Sequence, residues 1–264
     1  MTVGALWQLP IFIKILLLGT VQGITEWLPV SSSGHLVIAK EFLGLETPVA
    51  FDVMLHLATL IVVVVFFRKE IQKILKAVGR LDFKSHEGKM GLFIVLGSIP
   101  AVVVGYLFHD FFVSLFSNLL AVAVSLIITG FVLFISKIRE GKRKLNFLDS
   151  LIVGIAQAAA IAPGISRSGM TISAGLLRKV KKEDIFTFSF LLSIPAIIGA
   201  SISEIGTLSS SGYIAPMIFG MVAAAITGYF SLTLLRKIVI KNRFHLFAYY
   251  CWALGVIIIL LFFS

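Results

Sequence analysis

An all-α polytopic membrane fold is what this sequence predicts: two inverted repeats, each a re-entrant half-helix hairpin plus three transmembrane helices. Three observations carry that expectation. The 264 residues are 58% hydrophobic and only 14% charged, with a mean hydropathy of +1.03, whereas soluble domains carry about 25% charge. Charge-free stretches of spanning length recur at 90–108, 111–136, 185–203, 205–235 and 246–264, solid rather than alternating, which excludes a β-barrel. The basic residues are also bunched, with 20 of 23 in the short segments 68–89, 137–144, 178–182 and 236–243. Such bunching is the signature of cytoplasmic loops. The net charge of +10 is therefore read as topology, and no nucleic-acid partner is expected. A lone cysteine, Cys251, excludes a disulfide framework and a thiolate metal cluster. Lys14 interrupts the first apolar run and no small-residue cleavage site follows, so no removable signal is expected.

Taken in order, the first segment, 9–43, is too broken to span. Glu26 and the run Pro29-Val30-Ser31-Ser32-Ser33-Gly34 leave uncharged pieces of 11 and 13 residues (15–25 and 27–39), lengths suited to half-helices of a re-entrant hairpin. Spans follow at about 50–67, 90–108 and 115–136. A second broken segment, 148–177, is interrupted by Pro163-Gly164-Ile165-Ser166-Arg167-Ser168-Gly169, and spans follow at about 185–203, 213–235 and 246–263. A hairpin returns to the side it entered. With 68–89 inside, all four basic segments then fall inside and both termini outside, so the orientation is self-consistent. The chain reads as a single integral-membrane domain over 1–264, with repeat one at about 9–136 and repeat two at about 146–263.

The repeat itself emerges at a shift of 135 residues. Gly19 then meets Gly154, Gln22 meets Gln157, Ser31 meets Ser166, Ser33 meets Ser168, Gly34 meets Gly169 and Phe51 meets Phe186. Three spans per half is an odd number, so the halves must be inverted, an arrangement that brings both breaks together near the bilayer midplane.

Ionisable groups at membrane depth are functional candidates by default. Outside the loops the sequence leaves Glu26, His35 and Arg167, with Lys14, Lys40, Asp52 and His56 at the margins. Gln22 and Glu26 share one helical face. Ser31, Ser32 and Ser33 open a half-helix, as do Ser166 and Ser168, and bare N–H groups at such a start bind anions. Gly34 and Gly169 let the backbone approach a ligand, and Thr171 adds a hydroxyl. If the tips meet, the pocket holds two helix N-termini, several hydroxyls and one guanidinium, a cradle for a phosphate or diphosphate that Arg167 clamps bidentately. Glu26 then serves as a general base, a proton carrier or a ligand of a divalent cation, and His35 as a nucleophile or general acid. Each has a plainer alternative: serines that only cap, a structural Glu26–Arg167 ion pair, a hydrogen-bonded interior histidine. Three charged types at two symmetry-related breaks favour the functional reading. Ser209-Ser210-Ser211-Gly212 reads as a linker, His86, His109 and His245 as loop residues, and His56, four after Asp52 on one helical face, as core or rim, with support of the site's own residues as the alternative. The tryptophans and tyrosines read as interfacial anchors.

The run Gln22-Gly-Ile-Thr-Glu26-Trp-Leu-Pro29-Val-Ser31-Ser-Ser-Gly-His35 resembles the first signature of bacterial undecaprenyl-diphosphate phosphatases of the bacitracin-resistance type. Pro163-Gly-Ile-Ser166-Arg167-Ser-Gly-Met-Thr171 resembles the second, and the hydrophobic layout agrees over essentially the whole chain. The resemblance implies removal of one phosphate from undecaprenyl diphosphate, recycling the lipid carrier of cell-wall synthesis in a bacterial inner membrane, with Mg²⁺ or Ca²⁺ in support and often a homodimer. Glu26 and His35 match the residues held essential there, Arg167 the phosphate-binding arginine, and Ser32 a nucleophile or substrate contact. Ser166 and Thr171 match further phosphate contacts. Gln22 stands where the family has Glu or Gln, which weakens a two-carboxylate metal site and leaves Glu26 as the metal candidate. The acid-phosphatase-like lipid phosphatases need a histidine where this chain has Ser173, and are rejected. The rival from another class is a transporter or flippase of a lipid phosphate or other anion, whose inverted repeats look alike but which releases no phosphate. A purely structural subunit leaves Arg167 at a hairpin tip unexplained.

Overall fold

A computed structural model describes residues 7–45, 47, 49–137, 141–204 and 214–263; the 209–212 linker lies outside the described residues. Among the described residues every named element is helical. The helices are α1 (Ile11–Trp27), α2 (Ser32–Leu43), α3 (Val49–Phe66), α4 (Arg68–Gly79), α5 (His86–Leu107), α6 (His109–Leu115), α7 (Leu119–Ile135), α8 (Phe147–Ala159), α9 (Arg167–Leu177), α10 (Lys182–Glu204), α11 (Ile214–Ile240) and α12 (Phe247–Phe262). By length and apolarity, α5, α10, α11 and α12 can each cross a membrane. The spans containing α3 and α7 bring the number to six, each bent sharply into a short neighbour, by 78° into α4 and by 97° from α6. Four of the six expected spans are thus matched by single helices, and the count reaches six where each bent pair is taken as one span, in an all-α, multi-pass architecture. The α4 helix inside the first basic segment is an addition that the span reading does not contain.

The two broken segments form hairpins for identifiable reasons. Leu28 is extended (ψ 148°), as a residue before proline must be, so α1 stops there. Ser31 then caps α2 by accepting from the Gly34 N–H. Leu36 and Leu43 of α2 pack in one buried cluster with Ile15 and Leu18 of α1. Gly44, in the left-handed region at φ 54°, lies against the Trp7 ring, where a Cβ would sit 2.9 Å away. The end of α2 thus lies beside the start of α1. In the second segment Asn146 and Asp149 form a capping box at the start of α8, and Ser166 caps α9. The base of this hairpin is closed by charge. Buried Asp149 accepts from Arg143 at 2.7 Å on both oxygens and from Arg178 Nε at 3.0 Å. Asp149→Ala strands two guanidiniums and removes one side of the box. Because both arginines are partly exposed, the expected cost is about 2 kcal/mol rather than the full burial penalty. A thermal melt in detergent checks this, and a change under about 0.5 kcal/mol would overturn it.

Small residues let the hairpins seat against the spans. A Cβ on Gly19 would lie 2.1 Å from the Gly220 carbonyl oxygen of α11, and one on Gly154 would lie 2.3 Å from the Gly97 oxygen of α5. Close backbone approach through glycine is how helices pack where no hydrophobic force between them exists. Gly23 against Thr227, and the Ser231 hydroxyl donating to the Ile24 carbonyl at 2.6 Å, extend the first contact. In the main core, Trp27 is fully buried against Phe190, which stacks on Phe67.

Candidate active site at the joined hairpin tips

The two tips touch. The Gly164 N–H donates to Ser31 Oγ at 3.0 Å, Ser168 Oγ donates to the Leu28 carbonyl at 3.3 Å, and Gly34 packs directly on Gly164. Gly164 sits at φ 91°, and a Cβ there would lie 2.4 Å from the Val122 oxygen, so only glycine fits. Ser31 is held at φ 70°, in the region non-glycine residues avoid; strain of this kind persists only where surroundings enforce it, and it gathers at working sites. Here the enforcing groups are the two N–H donors on Ser31 Oγ, from Gly34 and Gly164. Thr129 of α7 fastens the second tip, donating to the Gly164 carbonyl at 3.0 Å and accepting from the Ser166 N–H at 3.1 Å.

Glu26 is the hub. Its side chain is only 4% exposed, so every lone pair needs a partner. Oε1 accepts from Arg167 at 2.7 Å. Oε2 accepts from Ser32 Oγ at 2.5 Å and Gln22 Nε2 at 3.0 Å, and lies 3.3 Å from His56 Nε2. The Arg167 guanidinium also sits 5.2 Å over the Trp27 ring, an attraction that strengthens when water is excluded. The expected partners Glu26, Arg167, Ser32 and Gln22 therefore form one cluster across two segments 141 residues apart.

His35 lies at the same tip but does not touch Glu26. Its Nδ1 is 2.7 Å from the Ser31 carbonyl, which can only accept, so Nδ1 carries the proton. Nε2 faces the Tyr250 hydroxyl at 2.7 Å, with the two rings stacked. Ser33 Oγ is 3.2 Å from Ser31 Oγ, and Ser166 Oγ caps Gly169 and lies 3.4 Å from Ser168 Oγ. Thr171 is one turn further in, donating to the Arg167 carbonyl at 2.8 Å and lying 2.6 Å from Ser189 Oγ. Its place is therefore behind Arg167. Gln157 is buried on α8, and neither amide atom has a hydrogen-bond partner among the described residues. It does not join the cluster as its counterpart Gln22 does.

Two contributors escape the sequence reading, and a third, His56, takes the less favoured of its two readings. His56 reaches Glu26 rather than staying at the rim, and the Asp52/His56 spacing was its only signal: the backbone carbonyl of Asp52 bonds His56 Nδ1 at 2.7 Å. Tyr250 and Thr129 arrive from distant spans with no local signal at all.

The donor set does not fit a resident divalent cation. Among the described residues no three His, Cys, Asp or Glu side chains group to hold one, and both Glu26 oxygens are already engaged by donors. A separate cleft lined by Phe66, Phe67, Phe186 and Arg236 contains none of the tip residues. Phe67, Phe190 and Trp27 form an aromatic column between that cleft and Arg167.

Residues 15–257 match the family model of the bacitracin resistance protein BacA. The chain belongs to the BacA family. Its relatives include proteins named undecaprenyl-diphosphatase from Halothermothrix orenii, 40% identical over 94% of this chain and 97% of that one, and from Carboxydothermus hydrogenoformans, 40% identical over 94% and 96%. A third, from Methanobrevibacter smithii, is 41% identical over 93% and 96%. Both motif segments lie inside the matched BacA region.

Proposed function

We propose that this BacA-family chain is an integral-membrane phosphatase that hydrolyses undecaprenyl diphosphate to undecaprenyl phosphate and inorganic phosphate, recycling the lipid carrier of cell-wall synthesis and so conferring bacitracin resistance. The observation that carries the mechanism is Glu26 itself, with Arg167 on one oxygen and Ser32 on the other. The diphosphate sits over the N-termini of α2 and α9, where unpaired N–H groups and the helix dipoles favour negative charge. Arg167 turns from Glu26 toward the phosphates and stabilises the charge that develops as the anhydride bond breaks. Glu26, relieved of its cation, takes the proton of Ser32 as Ser32 Oγ attacks the terminal phosphorus and undecaprenyl phosphate leaves. Water then cleaves the phosphoserine. His35, oriented by the Ser31 carbonyl at Nδ1 and the Tyr250 hydroxyl at Nε2, handles the proton of the leaving or entering oxygen. The Mg²⁺ or Ca²⁺ implied by the resemblance is proposed to arrive on the diphosphate itself.

The same reading puts the basic segments in the cytoplasm, the termini outside and the chain in a bacterial inner membrane, and it includes a homodimer. It takes the halves as inverted repeats, supported by the matched seating of Gly19 on Gly220 and Gly154 on Gly97. Purified protein in detergent is expected to release inorganic phosphate from undecaprenyl diphosphate, and Glu26→Ala to reduce that release at least a hundredfold. Well-folded protein that releases none would instead favour the transporter.

A further inference from the structure

The positive-inside rule accounts for basic charge in a loop but not for its arrangement on a helix. In α4 the charges are ordered. Lys69, Lys73 and Lys76 fall along one face, and Ile71, Ile74, Leu75 and Val78 along the opposite one. The 78° bend after α3 turns this helix nearly perpendicular to that apolar helix. Only part of its apolar face is used internally. Ile71 and Ile74 pack on the main core, and Ile74 and Val78 close over Gly91 of α5. Leu75 remains 65% exposed and Leu81, just past the helix, 75% exposed.

Leu81 is the second, independent observation. It closes the helix in the left-handed region at φ 53°, with the Leu81 N–H bonded to the Val78 carbonyl and the Asp82 N–H to the Ala77 carbonyl. That position favours glycine, and leucine there costs about 1 kcal/mol or more. A strained backbone that presents a large apolar side chain to the outside has no internal benefit to offset it. An apolar side chain at the level of the acyl boundary does.

We infer that α4 and the turn after it are an interfacial module for anionic phospholipid. Leu75 and Leu81 dip into the acyl boundary, while Lys69, Lys73 and Lys76, with Arg80 and Lys84 beyond the helix, take headgroup phosphates. Two acidic residues stand among these five basic ones, Glu70 on the helix and Asp82 in the turn, where the Asp82 carboxylate accepts from the Lys84 and Ser85 N–H groups, so the net charge still favours an anionic surface.

The test counts phosphatidylglycerol and phosphatidylcholine retained by the purified protein from mixed micelles, by native mass spectrometry. The wild-type protein is expected to prefer phosphatidylglycerol, less so as salt rises. The triple variant K69Q/K73Q/K76Q is expected to weaken phosphatidylglycerol retention roughly a hundredfold, leave phosphatidylcholine unchanged, and keep phosphate release in detergent intact as the sign of an undisturbed fold. Leu81→Asn, which suits the left-handed backbone, is expected to weaken both lipids alike without loss of thermal stability. Equal retention of the two lipids by the wild type, or triple-variant retention matching it, would overturn the assignment.

Discussion

Arg167→Ala is expected to lower phosphate release at least a hundredfold and, separately, to destabilise the protein by about 3 kcal/mol. Two different losses are combined in that one substitution. The first is catalytic, the removal of the only guanidinium at the joined tips among the described residues. The second is structural, because the 2.7 Å bond to Glu26 Oε1 disappears and leaves a carboxylate buried without its counter-charge. A structural ion pair would produce the second loss alone, with reduced turnover as a by-product of misfolding. The double variant Glu26→Gln with Arg167→Met separates them through a melt, though not through turnover alone, since it also removes the base. Neutral, well-packed replacements of a buried pair are often as stable as the pair, so its melting temperature should return close to the wild-type value while turnover stays low. The single variant Arg167→Lys completes the set. Lysine keeps a positive charge near Glu26 but loses the planar fork that grips a phosphate at two oxygens. Near-normal stability with turnover down at least tenfold is the expected result. Turnover within a few-fold of wild type in Arg167→Lys and Arg167→Ala alike would remove the clamp from the mechanism.

How far the site could be read from sequence follows from how its parts are specified. Pro29, Ser31 and the glycines act on their own neighbours, through φ, ψ and local caps, so the breaks and the half-helices they separate are visible residue by residue. Glu26, His35 and Arg167 stand out because charge at membrane depth is costly. The 135-residue shift links Ser31 to Ser166, and in the fold Ser31 does meet the second tip, through Gly164. What a linear reading lacks is lateral geometry. Tyr250 reaches His35 across 215 residues, and nothing in its own surroundings distinguishes it from the tyrosines that anchor a helix at the interface. Thr129 is one hydroxyl in an apolar span and could as well have bonded its own helix. The proposed repeat also misleads at one of its matched positions. The partner of Gln22 is Glu26, but the residue four beyond Gln157 is Ile161, so Gln157 has no equivalent carboxylate to bond. The α4 helix was hidden for another reason, since a run of basic residues satisfies a topology rule before its helical order is considered.

Ser32→Ala is expected to reduce turnover a hundred- to ten-thousandfold with little change in stability, because the lost hydroxyl is one of several donors on Glu26 Oε2. The nucleophile assignment rests on geometry. A nucleophile and its base must be within hydrogen-bond reach, and Ser32 Oγ lies 2.5 Å from a carboxylate oxygen. His35 has no such partner. Its Nδ1 is committed to the Ser31 carbonyl and its Nε2 to the Tyr250 hydroxyl, an arrangement that orients a proton-transfer group. The two chemistries leave different products. Phosphate labelled at the terminal position and trapped by acid quench stays attached to serine but is lost from histidine, whose phosphoramidate bond is acid-labile. Acid-stable label that disappears in Ser32→Ala and persists in His35→Ala is the expected outcome. Acid-labile label that disappears in His35→Ala would move the attack to His35. No label, with Ser32→Ala active within tenfold, would give it to water, leaving Glu26 to take a water proton instead of the serine's.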